Sequence, residues 1–143
     1  MKLSKKLTAK VLALAGETPW TGTESAVAVT LPPSVNNLFA TCGNRRVKTA
    51  GYKAWLDEVV PIFRRLMKPQ VWPVRLTVTL SGRVNLNRDC DNCLKPIGDA
   101  IVAAGVLPDD SLRYVGSWLV WYRPGSDEPA TALVHMDPIG GVT

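Results

Sequence analysis

The sequence predicts an α/β (α+β) domain of order β-α-β-α-β-β, a mixed four-stranded sheet packed on two helices. Three observations predict it. Short runs rich in β-branched and aromatic residues carry apolar side chains at every second position, the period of a half-buried strand. One longer stretch places apolar residues near the 3.6-residue period of a helix, and a second, shorter one is bracketed by Pro96 as a helix start and Gly105 as a stop. Connectors rich in Pro, Gly and Asn separate them and end regular structure. The 143 residues are enough for one such domain and one sizeable core.

The elements follow in chain order. Ala26–Leu31 (AVAVTL) reads as a first strand, stopped by Pro32-Pro33. The segment PPSVNNLFATCGNRR reads as loop throughout. From about Thr49 to Met67 the apolar residues Tyr52, Trp55, Leu56, Val59, Ile62, Phe63 and Leu66 keep a helical period, and Pro61 is expected to kink or split that helix. Val74–Leu80 alternates Val/Leu with Arg/Thr as a half-buried strand does. A polar loop leads to a helix of about Pro96–Ala104, started by Pro96 and stopped by Gly105. Tyr114–Tyr122 and Ala130–Met136 read as two strands joined by RPGSDEP. Tyr114, Trp118 and Tyr122 share one side of the first, a row expected to pack in the core or at an interface.

The domain is expected over 26–137, after an N-terminal extension of 1–25 and before a short tail of 138–143. Lys2, Lys5, Lys6 and Lys10 are placed on a short helix in that extension, and Trp20 in its linker has no evident partner. The opening MKLSKKLTAKVLALAG imitates a signal peptide, but its apolar stretch Val11–Ala15 is shorter than the roughly 7 residues such a region needs. No apolar run approaches the roughly 20 residues that span a bilayer. Cys42, Cys90 and Cys93 are an odd set without a disulfide framework, which fits a reducing cytoplasm.

Charge is divided along the chain. Residues 1–88 hold 14 Lys/Arg against 4 Asp/Glu, while residues 89–143 hold 3 against 8. A basic front half suits a polyanion such as nucleic acid, and both halves also suit an ordinary solvated surface. Acidic residues gathered at a few later points suit a cation.

The densest polar cluster is Asp89-Cys90-Asp91-Asn92-Cys93-Leu94-Lys95, followed by Asp99 and Asp109-Asp110. In an extended segment Asp89 and Asp91 point to one face. Two carboxylates so close repel, and a cation keeps both ionised. Oxygen donors suit Mg2+ or Mn2+ better than zinc. Asp91 or Asn92 is equally a helix cap. Lys95 lies one helical turn after Asp91, either as a plain surface ion pair or as an ammonium beside a bound phosphate. Asp109-Asp110 is either turn chemistry or a return to the Asp89/Asp91 site.

In order and spacing, D-x-D-N-x-x-K, an Asp four residues after the Lys, a Gly and a D-D pair closely resemble the RusA family of Holliday junction resolvases. LPPSVNN resembles that family's opening, and Arg45–Trp55 resembles its basic stretch before the first helix. The likeness runs from about Ala26 to Met136. It implies that Asp89, Asp91 and Asp110 are catalytic aspartates holding a divalent cation, and that Lys95 is the catalytic lysine. Asp109 is the neighbour open to confusion with Asp110. It implies a homodimer that nicks four-way branched DNA in recombination and repair, with Mg2+ (or Mn2+) activating water and leaving 5′-phosphate and 3′-hydroxyl ends. A bacterial or phage-encoded cytoplasmic enzyme is the matching context.

Arg45, Arg46, Lys48 and Lys53 are then the expected phosphate contacts, with Arg83 and Arg88 beside the site. The sequence departs from the family at Cys90 and Cys93, where relatives carry aliphatic residues; a buried cysteine packs as a small hydrophobe. Two other readings compete. One is a branched-DNA-binding module of the same fold without catalysis. The other is a zinc or redox site of Cys90 and Cys93 with Cys42 and His135.

Overall fold

The structure, a computed structural model, describes residues 22–139. The expected N-terminal helix, Trp20 and the end of the tail lie outside these residues. The chain forms β1 (Ala26–Thr30), a 3-10 turn (Val35–Asn37), β2 (Phe39–Cys42), β3 (Arg45–Lys48), α1 (Ala50–Phe63), β4 (Val74–Ser81), α2 (Leu94–Ala103), β5 (Val115–Arg123) and β6 (Thr131–Pro138). Four strands make a mixed sheet in the order β1-β6-β4-β5. β4 and β5 run parallel and the other pairs antiparallel. This is the mixed four-stranded sheet with two helices that the sequence predicts.

Alternation decides which face of the sheet is covered. Val27 and Val29 of β1, Val74, Leu76, Val78 and Leu80 of β4, and Ala132 and Val134 of β6 are buried. They join one core with Tyr52, Trp55, Val59 and Phe63 of α1 and Ile97, Ala100 and Ile101 of α2. Burying a side chain such as Phe63 contributes roughly 1.5–3 kcal/mol. On the opposite face Leu119, Trp121 and Leu133 stay exposed.

α1 starts where Thr49 turns its hydroxyl inward. The Thr49 Oγ1 accepts from the Tyr52 backbone N–H and donates to the Asn37 carbonyl. Pro61 neither splits nor ends the helix. It stands exposed in the last turn, so its missing N–H costs one bond near a frayed end, and the Arg64 N–H closes the turn on the Val60 carbonyl. α2 begins two residues before Pro96, which takes the third helical position, where the backbone N–H has no partner within the helix anyway. Its end is as expected. Gly105, at φ +80°, donates to Val102, and Val106 donates back to Ile101, a Schellman closure.

The main departure lies between β1 and α1. The segment read as loop holds a hairpin, β2 paired with β3 from Phe39–Lys48 to Cys42–Arg45. Gly43, at φ +64°, and Asn44 form its two-residue turn. Every residue of both strands except Phe39 is exposed, so no buried face leaves an alternating signature. The chain ahead of Ala26 also belongs to the fold. Glu24 exchanges backbone bonds with Arg65 and Met67 and pairs with the Arg65 guanidinium at 3.0 Å. β6 likewise runs to Pro138, where the tail was expected to begin.

Candidate functional site

Polar side chains from three elements meet at the start of α2. Lys95 and Asp99 are one turn apart on that helix, and the Lys95 Nζ lies 2.9 Å from the Asp99 Oδ1. Tyr52, fully buried on α1, donates its hydroxyl to the Asp99 Oδ2 at 2.7 Å. Asp110, in the loop between α2 and β5, brings its Oδ2 to 3.7 Å from Lys95. Gly98 makes the approach possible. A β-carbon there would stand 2.9 Å from the Asp110 Oδ2, closer than carbon and oxygen sit without contact strain.

The electrostatics follow. The hydrogen bond to Asp99 is the main cause that raises the Lys95 ammonium above the ordinary lysine range, with Asp99 and Asp110 adding attraction. Burial is the main cause that pushes the Tyr52 hydroxyl far above its usual value, and the Asp99 carboxylate adds to it. Asp109 behaves differently from its neighbour. It is exposed, and the Asp110 backbone N–H, then the Ser111 hydroxyl, hold its carboxyl below the usual range. Asp109 is therefore the turn residue of the pair, and Asp110 the one that faces α2.

Asp89 and Asp91 depart from the expected geometry. The segment is a pair of consecutive turns rather than extended chain, with the Asn92 N–H on the Asp89 carbonyl and the Leu94 N–H on the Asp91 carbonyl. A tight lead into α2 uses those carbonyls, so the side chains are not set on one face by a strand's alternation. Neither aspartate caps α2. The cap position is Cys93, whose thiol makes no capping bond to the helix and instead donates to the Cys90 carbonyl at 3.8 Å. Both carboxylates are exposed and make no side-chain hydrogen bond or ion pair among the described residues. Arg88 is half-buried and donates to the Pro32 carbonyl at 2.8 Å, tying this turn to the end of β1.

Carboxylate oxygens are the right donors for Mg2+. Among the described residues, however, no three His, Cys, Asp or Glu side chains stand together as a metal cage. Asp110 is turned to Lys95, so the expected set of Asp89, Asp91 and Asp110 does not fit a ready-made metal site in this arrangement. The thiolate reading fares no better. Cys42 is exposed at the hairpin turn, Cys90 is exposed, and Cys93 is buried with its thiol pushed up chiefly by burial. His135 pairs with Asp137 at 3.1 Å on the sheet.

The expected phosphate contacts lie on neighbouring elements. Arg45, Arg46 and Lys48 are exposed along β3, and Lys53 is exposed on α1. The Arg46 guanidinium stacks 4.9 Å from the Phe39 ring centre, and Phe39 meets Tyr52 edge-on at 5.9 Å. A run of contacts thus leads from the basic hairpin through Phe39 and Tyr52 to Asp99 and Lys95. Arg83 is exposed after β4.

The sequence pattern contains Asp99 without giving it a role and marks Tyr52 only as a helix-face residue. A tyrosine at a position otherwise fit for Phe was the available signal, since a buried hydroxyl takes a partner. Trp118 of the aromatic row packs beside Gly98, in keeping with core packing, whereas Tyr122 is exposed. Fold and cluster together define a mixed α/β domain with a lysine–carboxylate site at a helix start beside a basic hairpin. No protein-family model matches the chain, and no curated protein matches it. Among the described residues no helix is long and apolar enough to cross a membrane.

Proposed function

We propose that the protein is a RusA-like, structure-selective endodeoxyribonuclease that nicks four-way DNA junctions. The observation that carries this reading is the meeting of Lys95 with Asp110 at 3.7 Å, two residues from separate elements that the resemblance assigns to one site. The basic hairpin and Lys53 nearby support a polyanionic substrate.

Each group has a role its surroundings allow. Lys95, held by Asp99, is an ammonium that offsets the charge gained by a phosphodiester under attack. Arg45, Arg46, Lys48, Lys53 and Arg83 grip phosphates. Arg88 chiefly anchors the Asp89–Asp91 turn. The resemblance implies Mg2+ (or Mn2+) on Asp89, Asp91 and Asp110, although in the arrangement described these carboxylates do not stand together as a cage. Two strands are cut across a junction by a homodimer with one site per subunit; exposed Leu119, Trp121 and Leu133 offer apolar area for such pairing.

The open arrangement of the aspartates favours one second reading, a branched-DNA-binding module without catalysis. Incubation with a synthetic four-way junction separates the two. The nuclease gives nicked product with Mg2+ and none with EDTA. The binding module retards the junction and leaves it intact in both.

A further inference from the structure

We propose that Tyr52 and Asp99 are positioning residues for Lys95, together holding its ammonium beside Asp110 where a scissile phosphate would be met. What Lys95 is held for rests on the nuclease reading; the holding itself does not.

The geometry is a clamp. Tyr52 is fully buried, stacked on Trp55 at 6.3 Å and closed by the edge contact with Phe39, so its ring has nowhere to turn. Phenylalanine would fill the same space. What the hydroxyl adds is one bond, 2.7 Å long, to the Asp99 Oδ2. The other Asp99 oxygen takes Lys95 at 2.9 Å. Each oxygen of the carboxylate is thus held, one by α1 and one by the preceding turn of α2, and it cannot rotate without losing both.

A lysine–carboxylate pair one turn apart on a helix surface is ordinarily loose, because two flexible side chains share a solvated contact. Here one partner is fixed from below by a buried hydroxyl, so the Lys95 side chain, itself more than half exposed, ends at a defined place. That place is within reach of Asp110, which Gly98 admits against the helix. The competing role for Tyr52 is that of a core tyrosine whose hydroxyl merely finds a partner. In that case its loss leaves Lys95 unchanged.

The test uses the full chain, with Tyr52→Phe and Asp99→Asn. The first readout needs neither DNA nor activity: the mobility of the Lys95 Cε by nuclear magnetic resonance relaxation, with exposed Lys53 as reference. The wild type is expected to show Lys95 markedly more ordered than Lys53. Both variants are expected to loosen it to the Lys53 level. Equal mobility of the two lysines in the wild type, or an unchanged Lys95 in Tyr52→Phe, overturns the proposal. Tyr52→Phe keeps the ring, so the test survives if Asp99→Asn does not fold. The second readout separates rate from affinity. Single-turnover nicking of bound junction is expected to slow 10- to 100-fold with the junction Kd within twofold. Weaker binding with an unchanged nicking rate contradicts positioning. If Lys95 loosens as expected while the wild type nicks nothing in Mg2+, the clamp stands and the nuclease reading falls.

Discussion

Gly98 and the Asp109–Asp110 pair are where single atoms decide the site. Alanine is favoured over glycine within a helix by up to about 1 kcal/mol, so Gly98→Ala is expected to leave the fold intact. The added methyl would meet the Asp110 carboxylate at 2.9 Å and drive it from Lys95. Nicking should fall at least about tenfold, a barrier increase of roughly 1.4 kcal/mol. Unchanged nicking would show that the Asp110–Lys95 contact has no part in the reaction. The two aspartates should also separate. Asp110→Asn removes cleavage, while Asp109→Asn, altering a solvated turn residue, keeps it within about twofold of wild type on the scale set for a change of a few tenths of a kcal/mol. The reverse outcome in the same assay would exchange their roles.

Tyr52 gives a prediction about stability rather than activity. Burial first, then its bond to Asp99, hold its proton well past the ordinary tyrosine range. An unfolded chain releases that proton near pH ~10. Above that pH the native state binds more protons than the unfolded one, so stability falls as pH rises. The contribution is whole below the unfolded value and is lost as pH climbs toward the raised folded one. Tyr52→Phe should therefore flatten the alkaline decline of the denaturation midpoint. Equal slopes in the two proteins would mean that the hydroxyl is not held neutral as the geometry requires.

Among the elements, the hairpin matters most because it carries the basic residues to the site. Arg46→Ala and Lys48→Ala are each expected to weaken junction binding about evenly across sequences and to lower the salt slope by about 1 per lost phosphate contact. Binding measured at several salt concentrations checks this; an unchanged slope removes those residues from the interface. This element was also the least legible one. The sheet strands and α1 could be read from apolar runs and periods because each has one face in the core, and α2 from Pro96 at its start and Gly105 at its stop. β2 and β3 pack only Phe39 inward, so their pairing rests on backbone bonds and the Gly43-Asn44 turn, and the latter was the one visible cue. The lead into α2 departs from the expected extended chain for a related reason. Alternate aspartates imply a common face only in a strand, and the carbonyls of Asp89 and Asp91 are instead spent on turns. Spacing left Lys95 and Asp110 open to plain surface roles, and only the family resemblance put the two in one site. Their partner Tyr52 was not legible, because helical periodicity marks a buried position without revealing what a polar tip at that position touches.

For the whole molecule, the decisive step is chemical. The fold sets a lysine–carboxylate cluster against a basic hairpin, and it leaves Asp89 and Asp91 exposed in the turns that lead into the same helix. If these aspartates serve cleavage, amide substitution removes the reaction without removing the phosphate grip, which belongs to other residues. Asp91→Asn tests that division most directly. Wild type and variant, at equal concentration with Mg2+ and a four-way junction, should retard the junction alike. Only the wild type should produce paired nicks, and EDTA should abolish them. Nicking by Asp91→Asn at the wild-type rate would contradict the account.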